Sequence, residues 1–160
     1  MKLRKIRTII AVAVLVVALV TAVALMVIFL PERPALEEGD TYTFVSAEYW
    51  PDGYRSRQDL AVQGKETAIL DRLGECTKRR STELLFHRTG ESIQIPEWPK
   101  LVLRIRNGEG SLFTYLIGEE QSQQREGWMS PPVYTLSGEG NLWQELSTLL
   151  NLPYNSESAQ

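Results

Sequence analysis

The feature that most constrains this chain is an unbroken uncharged block over residues 8–30, directly after Lys2, Arg4, Lys5 and Arg7. At about 1.5 Å rise per residue, a helix of that length reaches roughly 35 Å, enough to cross a hydrocarbon core of about 30 Å with modest tilt. The block therefore reads as a transmembrane helix, and residues 1–7 as a basic cytoplasmic leader. All four charges before it are positive, whereas Glu32, Glu37, Glu38 and Asp40 outnumber Arg33 just after it. The positive-inside bias then expects the N-terminus in the cytoplasm and the rest of the chain outside.

A secretory signal peptide has the same order of basic, apolar and polar segments, but its apolar stretch is shorter and ends at a small-residue cleavage site. Ala22 and Ala24 offer an A-x-A pattern, yet Leu25, Met26, Val27, Ile28, Phe29 and Leu30 continue the apolar run past it. A retained signal-anchor is the expectation. Ala18 and Ala22 form a small-xxx-small pair suited to helix approach. The span holds five alanines, so chance spacing explains the pair as well.

The remaining sequence sorts into an acidic spacer (31–40), an external α+β domain (41–152) and a flexible tail (153–160). Residues 31–160 carry 13 basic against 20 acidic side chains, because four of the 17 basic residues precede the span. That negative field disfavours nucleic acid and anionic bilayer surfaces as partners, since both are polyanions. A lone Cys76 forms no internal disulfide, and a lone His87 builds no histidine-rich metal site. No metal and no cofactor are expected.

Patterning within the domain predicts an antiparallel arrangement. Residues 41–50 and 54–62 flank Pro51-Asp52-Gly53 and read as a hairpin. Residues 65–79 place Ile69, Leu70, Leu73 and Cys76 at one-sided helical spacing, with Lys78 and Arg79 at the favourable end of the helix dipole. Short strands are expected over 82–88 and 93–95. Residues 100–106 alternate Leu101, Leu103 and Ile105 against Val102, Arg104 and Arg106, and 111–117 return after Asn107-Gly108-Glu109-Gly110. The polar stretch 118–130 reads as a loop, 133–136 as the last strand, and Asn141 with Gln144 as the cap of a helix through Leu150. The expected fold is a small antiparallel sheet with two helices packed on one face.

No nucleophile-elbow, P-loop or zinc-helix motif is present, and the two Gly-Glu-Gly copies read as turns. An enzyme would need a cleft of converging polar groups around His87 or Tyr115, and a catalytic role is not expected. If the strand before Glu119 and Glu120 continues, these carboxylates face opposite ways. Tryptophans near turns are the remaining signal. Two readings stand: the rings fold down to cap the core, or they form a partner surface of Trp50, Tyr54, Trp98 and Trp128. The functional expectation is a single-pass, membrane-anchored, extracytoplasmic, non-catalytic domain that binds a protein or envelope component. The alternative is an accessory subunit that docks into a membrane complex through its transmembrane helix.

Overall fold

The computed structural model describes residues 2–29, 31–52, 55–81, 98–127 and 130–152. The chain divides into two compact units, Met1–Pro31 and Glu32–Gln160. In the first, α1 runs over Lys2–Phe29. Its segment Ile9–Met26 has a mean hydropathy of 3.1, and none of that segment is buried within the structure. A helix apolar on every side has no soluble core to turn towards, and its length suits a bilayer. Thr21, the one hydroxyl in the described part of the segment, donates to the carbonyl of Val17 at 2.8 Å and so meets its own hydrogen-bonding demand. Signal sequences with long apolar regions also meet these criteria of length and apolarity. The helix therefore establishes a capacity to enter a membrane, not the side on which the second unit resides.

Among the described residues, the second unit is a mixed α+β fold built on one eight-stranded antiparallel sheet. Its strands are β1 (Arg33–Pro34), β2 (Tyr42–Trp50), β3 (Gln58–Asp59), β4 (Thr77–Arg80), β5 (Lys100–Asn107), β6 (Leu112–Ile117), β7 (Ser122–Glu126) and β8 (Ser130–Ser137), in the spatial order β1-β4-β8-β7-β6-β5-β2-β3. Helix α2 (Glu66–Gly74) precedes β4, and α3 (Leu142–Leu150) follows β8. Strands β5 to β8 form a meander in chain order. Strand β2 adds to one side of it and β4 to the other, so the segment containing α2 connects the two flanks.

Register follows from side-chain alternation. Leu103 lies opposite Tyr115 and Ala47, while Ile105 lies opposite Phe113 and Phe44, placing all of these on one face. Phe44 and Ala47 are an odd number of residues apart, which alternation alone would send to opposite faces. A bulge between Phe44 and Ser46 takes up the extra residue, leaving Val45 exposed and returning Ala47 to the core row. The main core joins Leu101, Leu103, Ile105, Tyr115 and Ile117 of the sheet to Ile69 and Leu73 of α2 and to Trp143, Leu146 and Leu150 of α3.

Several elements depart from the sequence reading. The sheet is not small, because two segments expected to be irregular pair within it. Residues 118–130, expected as a loop, contain β7, which lies between β6 and β8 with Gln123, Gln124 and Arg125 buried. Hydrophobic periodicity cannot mark a strand whose buried residues are polar. The helix expected through residue 79 ends at Gly74, and Lys78 and Arg79 belong to β4, where pairing with β8 overrides helical charge placement. The expected spacer 31–40 contributes β1, and Ala35 is buried with its N–H donating to the carbonyl of Cys76 at 2.8 Å. The second arm of the first hairpin shortens to Gln58–Asp59. The strands expected over 82–88 and 93–95 lie outside the described residues.

The β5–β6 hairpin is present, closed at Asn107, whose side-chain carbonyl accepts from the Ser111 N–H at 2.8 Å. Cys76 is a buried free thiol, and burial raises its pKa. The α3 cap is also present: the Asn141 side chain accepts from the Gln144 N–H at 3.0 Å, meeting one of the helix's unpaired donors. Replacing Asn141 with Ala is expected to cost about 1 kcal/mol. This should lower the thermal midpoint by roughly 4 °C, measured by circular dichroism of the full chain in detergent.

Candidate functional site

The sheet face opposite the main core is largely buried too, but it mixes a small apolar cluster of Trp50, Val102 and Leu116 with polar and charged side chains. Directly opposed residues place Ser46, Arg104, Thr114, Arg125 and Val133 in one row, and Glu48, Val102, Leu116, Gln123 and Thr135 in the next. Glu48 anchors this layer. One carboxylate oxygen accepts from Arg104, and the other accepts from the Trp50 indole N–H at 2.9 Å, with Arg57 3.8 Å away. Burial alone would raise the Glu48 pKa; the hydrogen bonds from Arg104 and Trp50, with the charges of Arg104 and Arg57, outweigh it and hold the carboxyl below its usual value.

Lys100 lies on the same face and is fully buried. Its ammonium sits 5.3 Å from the ring centres of both Trp50 and Trp98, a bracketing cation–π arrangement, and donates to the Trp98 carbonyl at 3.2 Å. Burial, reinforced by the charge of Arg125, lowers its pKa to about 8. Trp98 is thereby held by its neighbour two residues on. Its ring also rests against Gly118, where an added Cβ would sit 2.5 Å from two ring carbons. Only glycine leaves the indole this seat.

Trp98 forms one wall of a groove of about 290 Å³ lined by Pro99, Glu119, Glu120, Gln121 and Trp143. Strand β6 ends at Ile117, and a tight turn follows in which the Gly118 N–H donates to the Gln121 carbonyl at 2.9 Å. Because the strand does not continue, Glu119 and Glu120 line the same groove rather than opposite faces. Trp143, at the start of α3, is braced by the Tyr49 ring at 6.2 Å.

Of the four tryptophan and tyrosine positions singled out from sequence, Trp98 lines this groove. Trp50 is buried 6% exposed in the polar layer behind it, while Tyr54 and Trp128 lie outside the described residues, as does His87. Trp143, which the sequence places on the final helix and not near a turn, joins Trp98 at this groove through the tertiary position of α3.

A second opening, of about 410 Å³, lies between residues 35–42 and the far end of the meander. It surrounds Tyr115, one of the two residues around which the sequence reading required converging polar groups. The Tyr115 hydroxyl and the Lys78 ammonium each lie 3.4 Å from the Ala35 carbonyl as donors, long distances for buried groups. Lys78 also lies over the rings of Phe113 and Tyr134 at 5.9 and 5.6 Å. Burial pushes the Tyr115 pKa far above its ordinary value, which favours the protonated phenol that donates to the Ala35 carbonyl. Burial lowers the Lys78 pKa, opposed by Glu37 and Glu126. Beside Tyr115, the side-chain oxygen of Gln124 is buried without a hydrogen-bond partner, a condition that costs roughly 1–3 kcal/mol.

The Lys100 arrangement has a pH signature. Its pKa is about 8 in the fold and near 10.5 in the unfolded chain, so between these values the unfolded state binds more protons. The Lys100 contribution to stability therefore rises as pH increases from about 8 to about 10.5, and is flat below that window. Thermal unfolding of the full chain in detergent, followed by tryptophan emission across this window, should differ from that of Lys100→Met by this rise, the slopes from Lys78, Cys76 and Tyr115 being common to both.

Comparison with protein-family models, with curated proteins and with solved structures finds no match to this chain.

Proposed function

We propose that this protein is a single-pass, membrane-anchored, non-catalytic binding domain, held outside the cytoplasm by α1, that recognises an envelope component through the Trp98–Trp143 groove. The observation that carries this reading is the groove's composition: the Trp98 indole on one wall, the edge of the mostly buried Trp143 on another, and Glu119, Glu120 and Gln121 beside them. Such a lining suits a carbohydrate ring of an envelope polymer, whose apolar face stacks on an indole while its hydroxyls donate to carboxylate and amide oxygens. Aromatic anchors also concentrate binding energy at a few positions.

Support for the membrane setting comes from the uniformly apolar segment Ile9–Met26 and from the basic residues before it. Support for a binding rather than a catalytic role comes from the structural engagement of the buried Glu48 carboxylate with Arg104 and Trp50.

The test uses the full chain in native membranes. A periplasmic-type reporter fused after residue 160 should be active, and proteolysis of intact cells should remove the folded unit. Affinity capture should recover an envelope polymer, and Trp98→Ala should weaken that recovery roughly tenfold or more. Gly118→Ala, which drives a methyl into the Trp98 ring, should act in the same direction. Recovery of a protein partner alone would replace the carbohydrate reading. Turnover of a substrate by the chain, with recovery unaffected by Trp98→Ala, would overturn the proposal.

A further inference from the structure

The cavity between residues 35–42 and the meander takes no part in the groove and has a lining of its own. Glu37, Asp40, Glu109 and Glu126 face it with Lys78 the one lysine or arginine among the described lining residues, a formal balance of four negative groups against one positive among them. Acidic side chains on a surface commonly do no more than face solvent. Here a second feature points to a guest: Gln124, only 1% exposed, lines the same cavity with its side-chain oxygen lacking any hydrogen-bond donor. A buried acceptor in that state calls for an N–H or O–H group brought from outside.

The identity of that group follows by elimination among charges. A chelated metal ion does not fit, because no three Asp, Glu, His or Cys side chains among the described residues come together closely enough to hold one. An anion does not fit a mouth of net negative charge. Lys78 does not fill the role of the missing cation either: it is 8% exposed, lies over the Phe113 and Tyr134 rings, and donates to the Ala35 carbonyl. Water would meet the amide oxygen alone; the donor that meets it and the rim charge together is a cation with directed N–H groups, extended enough to reach carboxylates spread around the opening. A volume of about 410 Å³ is within the range of small-ligand sites.

We propose that this cavity binds an organic primary ammonium, supplied by a free di- or polyamine or by the lysine side chain of a peptide, with Gln124 Oε1 accepting from the ammonium and the rim carboxylates holding its charge.

Calorimetric titration of the full chain in a neutral detergent tests this with putrescine, spermidine and an N-acetylated, C-amidated tripeptide with one central lysine. Tetramethylammonium and inorganic phosphate serve as controls. At least one primary ammonium should bind saturably, with affinity falling as salt rises. Gln124→Leu should weaken binding roughly tenfold. Glu109→Gln, at an exposed position on the rim, should weaken it severalfold with the tryptophan emission unchanged, and this variant decides the matter if Gln124→Leu does not fold. Binding of the amines without the tripeptide assigns the free amine as the source, and binding of the tripeptide assigns the side chain. Equal affinity for tetramethylammonium, preference for phosphate, no binding up to about 10 mM, or full affinity in the Glu109 and Glu126→Gln variants would overturn the assignment.

Discussion

The pairing of Glu48 with Arg104 is the interaction on which the second face of the sheet depends. A buried carboxylate stripped of its cation is strongly destabilising, so this diagonal pair adds a side-chain constraint to the backbone register of β2 against β5. From the same carboxylate, the bond to the Trp50 indole sets the ring against which Lys100 lies. Lys100 in turn meets Trp98, and Trp98 shapes the groove. A chain of contacts thus runs from an ion pair in the middle of a strand to an aromatic wall at the end of the sheet.

The legible parts of the fold were those written in apolar residues. Leu101, Leu103 and Ile105 announce a half-buried strand, and Asn141 with the leucines behind it announces a capped helix, because hydrophobic spacing and local capping act within a few residues. Strand β7 was not legible, since Gln123, Gln124 and Arg125 are buried through pairing with partners before and after them in the chain. Nor was the end of α2: Lys78 reads as a dipole-matched helix terminus until β8 is known to lie alongside it. The site shows the same division. Trp98 was visible as an aromatic beside a turn, but its partnership with Trp143 depends on α3 returning to the end of β6, which no local pattern encodes.

The two openings differ in physical character. The groove is walled by rings whose positions are fixed by packing, at Gly118 for Trp98 and at Tyr49 for Trp143. Preorganised aromatic surface of this kind binds without first losing side-chain freedom. The cavity beside Gln124 is instead defined by electrostatic demand: long contacts from Lys78 and Tyr115 to a shared carbonyl, and an amide oxygen without a donor. The surrounding fold maintains these polar groups against their preference for solvent.

The outermost strands, β1 and β3, are each two residues long, and β1 ends in a proline that has no N–H to offer. Long, flat outer strands invite neighbouring copies to extend the ladder sideways. Chains concentrated in the plane of a bilayer meet one another far more often than chains diluted in bulk, which makes such lateral growth a greater hazard for an anchored protein. Two-residue outer strands, one of them ending in a proline, leave such encounters little ladder of their own to extend.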